Sequence, residues 1–301
     1  MPTNTLAPTV EGSRFTWRFG DTVFEVDAAC GARITRFSLG GDDILTEAAV
    51  NPLNFGSTFW PSPQSHWGWP PPAELDSQPY RVVPGQPGGG TVSFASRTNP
   101  GLALAVMKTF SVDAARAVVT IRYTLVNEGA APRTVAPWEI SRHPIDGLTF
   151  FPADRAPGGD GEGAPIVEAR STLAAIEEAG AIWFDYDANA ITDHQKLFAR
   201  CHRDEGWIAH VDVAQRLLLV KTFPPIAATE AAPGEAAIEI YADPTHSYVE
   251  VEQQGPFAPL GPGQRTDWTV TWRLGRLPAS LALGAANPEL VTAARAHPPD
   301  P

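Results

Sequence analysis

The sequence predicts an all-β fold, a sandwich of two large antiparallel sheets with few short helices. Three observations carry this. Short runs that alternate apolar and polar residues recur along nearly the whole chain. The 30 prolines and 26 glycines fall mostly between those runs, where turns require them. More than a dozen such runs leave little room for helix, and strands in this number pair off as layered sheets. All-β units often extend to the present 301 residues, so residues 1–301 read as one domain, with 1–12 and 297–301 as flexible tails.

Residues 14–27 predict a hairpin: Phe15, Trp17 and Phe19 alternate with polar neighbours, and Gly20-Asp21 turns the chain into Thr22–Asp27. Ala32–Leu39 is a further strand closed by Gly40-Gly41. Residues 50–80 lack periodicity and are crowded with Pro and Trp, which predicts a long ordered loop of functional type. Alternation returns in Thr91–Arg97, Leu102–Val112, Arg116–Asn127 and Arg133–Ser141, with Asp113–Arg116 as a turn. Ala153–Ala164 reads as a surface loop, and Ser171–Ala179 as a short helix capped by Ser171 or Thr172. Strands follow at Ile182–Tyr186, Lys196–Cys201, Trp207–Val213, Arg216–Phe223, Ala237–Ala242, Ser247–Gln254 and Thr266–Leu274. Asn287-Pro288-Glu289 opens a terminal helix, Asn as cap and Pro at the first helical position.

The formal net charge is -12, and such a surface repels a phosphate backbone; nucleic acid is excluded as a partner on this ground. No run reaches the length of a membrane-spanning helix, and the N-terminus lacks a basic start and an apolar stretch, which reads as a cytoplasmic protein without membrane association. Cys30 and Cys201 fit neither metal-ligand nor CxxC spacing and read as free buried thiols. No cofactor or metal is expected. Asp185, Asp187, Asp193 and His194 match neither a calcium loop nor a zinc site and read as a solvated turn. Neutral small molecules are the ligand class left; monomer and homodimer both fit.

Three clusters could carry chemistry. In Tyr248–Gln254, strand alternation places Val249 and Val251 on one face and Tyr248, Glu250, Glu252 and Gln254 on the other, a surface suited to hydroxyl groups. A solvated outer face is the competing reading. Around Trp138, the residues Glu139, Arg142 and His143 could stack on a sugar ring and reach its hydroxyls; equally, Trp138 could be core, Glu139 and Arg142 an ion pair, and His143 a turn cap. In the Pro-rich loop, Trp60, Trp67 and Trp69 lie within ten residues beside His66. They either plug one end of the sandwich or line a pocket, aromatic faces being how proteins hold the apolar faces of sugars.

At these clusters the chain resembles the galactose mutarotase-like superfamily, which includes the aldose 1-epimerases. Gly31–Phe37 followed by Gly41–Leu45 is similar to that family's opening, and Phe59-Trp60-Pro61 with His66-Trp67-Gly68-Trp69 to its Pro-rich loop. Tyr123–Asn127 resembles the strand before the family's catalytic His, and Tyr248–Gln254 with Leu260–Gln264 its terminal Glu strand and following turn. The Trp-Glu and Trp-Gly-Trp-Pro features resemble a bacterial branch of the superfamily. The resemblance implies an antiparallel supersandwich with a small neutral sugar or short glycoside on the concave sheet. It also implies a carboxylate that takes the anomeric proton while a His protonates the ring oxygen. Glu252 matches the carboxylate, with Glu250 on the same face. Near the slot of the His this chain has Glu139, with His143 just beyond, and these complete the expected catalytic set. The expected sugar-binding set is Trp60, His66, Trp67, Trp69, Trp138, Arg142, Tyr248, Glu250 and Gln254. An aldose 1-epimerase-like enzyme, a non-catalytic sugar-binding or sensing protein, and a polysaccharide lyase are the readings in that order; the last needs basic residues that the acidic balance disfavours.

Overall fold

A computed structural model describes residues 5–85, 90–153, 166–170, 175–187, 189 and 191–296. Its strands form two antiparallel sheets. The first runs Thr9–Glu11, Arg14–Phe19, Thr22–Asp27, Arg33–Leu39, Ser57–Ser62, Arg133–His143, Val249–Gln254, Ile238–Ala242, Gln195–Ala199, Ile166–Arg170. The second runs Ala175–Glu178, Ala181–Asp185, Gly147–Pro152, Trp207–Asp212, Leu217–Thr222, Arg265–Arg276, Val118–Asn127, Leu104–Asp113, Val92–Ala95, Arg81–Val83. The antiparallel sandwich is thus the observed architecture.

The core lies between the sheets. Trp17, Phe24, Phe37, Phe110, Ile240, Val249, Val251, Trp268 and Trp272 are buried there, side chains that each stabilise by roughly 1.5–3 kcal/mol when removed from water. A second apolar cluster covers the outer face of the second sheet, where Leu290, Val291 and Ala294 of the Pro288–Arg295 helix pack with Phe150, Trp183 and Trp207. Asn287 caps that helix, its side chain accepting from the Glu289 N–H at 2.9 Å, as the sequence predicts. Asp113 likewise turns the chain by accepting from the N–H groups of Ala115 and Arg116.

Four expectations are corrected. The 50–80 stretch is not one loop: Ser57–Ser62 is a fully buried strand near the middle of the first sheet, paired with Arg133–His143. Its neighbours on both sides shield it, so it needs no alternation and resembles an irregular segment by pattern. The strand is admitted by Gly56 at φ +59°, where a Cβ would lie 2.2 Å from the Ile34 carbonyl oxygen. Second, residues 175–178 form a strand, with 171–174 outside the described residues; sheet pairing to Ala181–Asp185 overrides the helical propensity. Third, the stretch from Thr5 is not a loose tail: Thr9–Glu11 pairs with Arg14–Phe19, and the Leu6 N–H donates to the Val112 carbonyl. Fourth, Cys30 is only partly buried, although neither it nor Cys201 is in a disulfide. The predicted 153–164 loop falls, beyond Ala153, outside the described residues, as does the 297–301 tail. Gly147–Pro152 is a further strand, buried throughout, that the sequence pattern does not reveal. Among the described residues no helix is long and apolar enough to cross a membrane.

Candidate functional site

Side-chain parity sorts the polar residues of the first sheet into two sets. On Ile238–Ala242 and Gln195–Ala199, Ile238, Ile240, Ala242, Leu197 and Ala199 enter the core between the sheets. Glu239, Tyr241, Lys196 and Phe198 therefore stand on the opposite face. Val249 and Val251 enter the core likewise, which leaves Glu250, Glu252 and Gln254 on that same face. Pairing then aligns them: Glu252 lies opposite Glu239, Glu250 opposite Tyr241, and Trp138 opposite both Gln254 and Trp60.

This face carries a cavity of about 440 Å³, within the range of small-molecule sites. Trp60, Trp69, Trp138, Tyr241 and Tyr248 supply its aromatic walls; Asp243, Glu250, Glu252, Lys196, His194, Asn54 and Gln64 supply its polar groups. The rings brace one another: Trp60 meets Trp138 edge-on at 5.4 Å and Trp69 at 6.1 Å. The Tyr248 hydroxyl accepts from Asn54 Nδ2 at 2.9 Å, and His194 Nδ1 is hydrogen-bonded to the Tyr241 hydroxyl at 2.5 Å.

Glu252 is the centre of the polar group. It is 1% exposed, Oε2 accepts from Trp138 Nε1 at 2.8 Å, and buried Oε1 has no partner. Burial above all raises its pKa to about 7; the Lys196 ammonium opposes that rise, and the nearby Glu250 and Glu235 carboxylates reinforce it. Glu239, deeper on the same face, is pushed well above the carboxylate range by burial, against the pull of Lys196 and with a further push from Glu252. Its Oε2 pairs with Lys196 at 2.7 Å, and its Oε1 accepts from Gln254 Nε2 at 2.7 Å. Burial works against the Lys196 charge, but Glu252 and Glu239 outweigh it and hold the ammonium above its usual range.

Of the expected site residues, Trp60, Trp69, Trp138, Tyr248, Glu250 and Glu252 meet in this cavity. Arg142 and Gln254 share its face but lie beneath the wall: Arg142 Nε donates to Glu250 Oε1 at 2.9 Å while its guanidinium stacks on Trp60 and Tyr248. The alternative reading of a Glu139–Arg142 ion pair does not hold: Arg142 pairs with Glu250 and Glu139 with Lys221. His66 and Trp67 line a different cavity of about 500 Å³ with Arg133, Phe257 and Ser62. Trp67 buttresses Trp60 at 5.6 Å and donates to the Pro61 carbonyl, so the Trp-rich loop both lines a pocket and plugs the fold.

Glu139 and His143 are placed elsewhere. Along Arg133–His143, Trp138, Ile140 and Arg142 face the cavity side, which turns Glu139, Ser141 and His143 into the sandwich. Glu139 accepts from Tyr123 Oη at 2.6 Å, Trp272 Nε1 at 2.9 Å and Gln253 Nε2, and it pairs with Lys221 at 3.3 Å. His143 Nδ1 donates to the Ile44 carbonyl at 2.8 Å, Nε2 is bonded to Ser141 Oγ at 2.8 Å, and the ring stacks on His210 at 4.3 Å. Burial, then the neighbouring His210 and Lys221, pushes its pKa well down. Neither residue reaches the cavity.

Lys196, Glu239, Tyr241, Asp243 and His194 were not picked out from sequence. The signal existed for two of them, since Ile238–Ala242 and Val249–Gln254 are consecutive strands, and a hairpin sets Glu239 opposite Glu252. His194 is exposed beside a bend, as the solvated-turn reading has it, and it also lines the cavity.

No family model and no curated protein matches the sequence. Solved structures do resemble the fold. A galactose mutarotase-like protein from Clostridium acetobutylicum has a TM-score of 0.57 at 9% identity, covering 90% of this chain and 98% of that one. One from Lactobacillus casei ATCC 334 has a TM-score of 0.56 at 10% identity, covering 87% and 100%. The Slr1438 protein from Synechocystis sp. PCC 6803 has a TM-score of 0.55 at 12% identity, covering 92% and 100%. Two antiparallel sheets, a single-sided ligand-sized cavity and these likenesses together show that the chain has the galactose mutarotase-like fold.

Proposed function

We propose that the cavity binds a small sugar or short glycoside and that the protein acts on it as an aldose 1-epimerase-like isomerase. Glu252 carries the reading: a buried carboxylate, one oxygen held by Trp138 and the other unpartnered, lines a cavity walled by aromatic rings. An orphaned buried oxygen is costly unless a ligand hydroxyl meets it. A carboxyl titrating near 7 is also suited to general-base work at neutral pH.

In this reading Glu252 Oε1 takes the anomeric hydroxyl proton as the C1–O5 bond breaks and the ring oxygen gains a proton. Rotation about C1–C2 and closure reverse both transfers and give the other anomer. The strand expected to supply the acid offers Trp138, Ile140 and Arg142 to this face, so His194, held by Tyr241, is the group assigned to the ring oxygen. The remoteness of Glu139 and His143 favours a second reading, a sugar-binding protein without turnover. A lyase acting on uronates fits less well, because Asp243, Glu250 and Glu252 would oppose an anionic substrate.

Anomer exchange of freshly dissolved aldoses, followed by NMR or polarimetry, tests the proposal. The enzyme reading predicts acceleration that Glu252→Gln returns to the buffer rate. Tryptophan fluorescence that titrates with sugar without acceleration supports the binding reading. Neither signal across a broad aldose panel overturns both.

A further inference from the structure

We infer that the sugar selected by this cavity carries a protonated amino group. The inference rests on the sugar reading above and deepens it, and it comes from counting charge around the unpartnered oxygen.

Asp243, Glu250 and Glu252 line the cavity, and Glu239 lies directly against it. Two resident cations are already matched: Arg142 to Glu250 at 2.9 Å and Lys196 to Glu239 at 2.7 Å. That leaves Glu252 and Asp243 without a basic partner within ion-pair distance among the described residues. Asp243 accepts from the Thr245 hydroxyl and, at 3.3 Å, from the Ser247 N–H. Glu252 Oε1 accepts from nothing. A neutral hydroxyl would satisfy that oxygen's hydrogen-bonding capacity; an ammonium would also favour the ionised form of Glu252, and charge-assisted hydrogen bonds are the stronger kind.

The walls point the same way. Trp69 and Trp138 stand at 79° and 83° to Trp60, and Tyr241 and Tyr248 approach at 6.2 Å, so aromatic rings close the cavity from several directions. Negative ring faces at right angles favour a cation seated among them. The wall's preference is already visible: the Lys196 ammonium sits 5.5 Å from the Trp138 centroid, and the Arg142 guanidinium 5.4 Å from that of Trp60. An anionic or acylated substituent would face the same carboxylates without this gain.

Tryptophan-fluorescence titration at pH 6.5 and low salt compares three ligand types: the 2-, 3- and 6-amino aldoses, their neutral parents, and the N-acetylated forms. One amino isomer is expected to bind at least ~10-fold tighter than its parent and its N-acetyl form, with the margin shrinking at 0.5 M salt. Asp243→Asn is expected to reduce that margin, with the amino isomer losing more affinity than its neutral parent. Neutral parents binding as tightly as every amino isomer would overturn the inference and leave the sugar reading standing. No response to any of the three types would overturn the sugar reading, and this inference with it.

Discussion

The strands Arg133–His143 and Val249–Gln254 carry polar residues on both faces, and the two faces differ in how completely those residues are partnered. Inside the sandwich, both oxygens of Glu139 are bonded, Lys221 donates to the Val251 carbonyl and Gln253 Oε1, and His143 uses both ring nitrogens. Elsewhere in the sandwich, His210 Nε2 and the indole nitrogens of Trp17 and Trp268 lack a partner. On the cavity face, Glu252 Oε1, Gln254 Oε1 and both terminal nitrogens of Arg142 lack one. Buried polar groups are satisfied where they build structure, and left open where a ligand completes them. The inner set is structural by this criterion, and the outer set includes Glu252, the group the proposed ligand would complete.

Removing an inner charge is the most severe way to test that division. Glu139→Ala leaves the Lys221 ammonium buried without its carboxylate, a change that costs about 3–5 kcal/mol in comparable sites. Chemical denaturation should show this loss, and a loss below 1 kcal/mol would mean the inner network is not structural.

Acid probes the same region through its histidines. Burial, with Lys221 nearby, lowers the His210 pKa to about 3, against 6.5 in an unfolded chain. The unfolded state therefore binds the proton first as pH falls. Stability from neutral His210 is complete above pH 6.5 and is lost between there and about pH 3, by up to roughly 5 kcal/mol. His210→Asn should flatten the fall in melting temperature between pH 6.5 and 4; an unchanged slope would break the argument.

The cavity face should answer to pH with the opposite sign. Glu252 titrates at about 7 when folded and near 4.5 when unfolded, so the folded state holds the proton more tightly. Its contribution favours folding below pH 4.5 and is lost as pH rises through 7. Glu252→Gln should therefore stabilise the protein at pH 8, by up to about 3 kcal/mol, and have little effect at pH 4.5. Destabilisation at pH 8 would make Glu252 a structural residue like Glu139. Trp138→Phe is the mildest change: it removes the N–H on Glu252 Oε2, and should raise the pH midpoint of the activity by less than about one unit.

The fold was legible in sequence because alternation and turn residues report half-buried strands directly, as in Arg14–Asp27 and Val249–Gln254. Strands buried on both faces are legible only where apolar residues run together, as in Trp207–Asp212 and Leu217–Thr222; Ser57–Ser62 and Gly147–Pro152, interrupted by Pro, Gly, Ser and Thr, are not. The site was legible along one strand and illegible across strands. Tyr248, Glu250 and Glu252 follow from period two, whereas Lys196 joins them only through a neighbour order that no local pattern encodes. Glu139 and His143 show the limit most clearly. A resemblance supplied their position along the chain, but parity one residue out from Trp138 sends both to the opposite face.

Anomer exchange measured by NMR on the wild type, Glu252→Gln and Glu139→Gln, at equal folded concentration, tests the two-face account most directly. The account predicts that Glu252→Gln falls to the uncatalysed rate while Glu139→Gln keeps its rate per folded molecule. Loss of exchange in folded Glu139→Gln with retention in Glu252→Gln would contradict it.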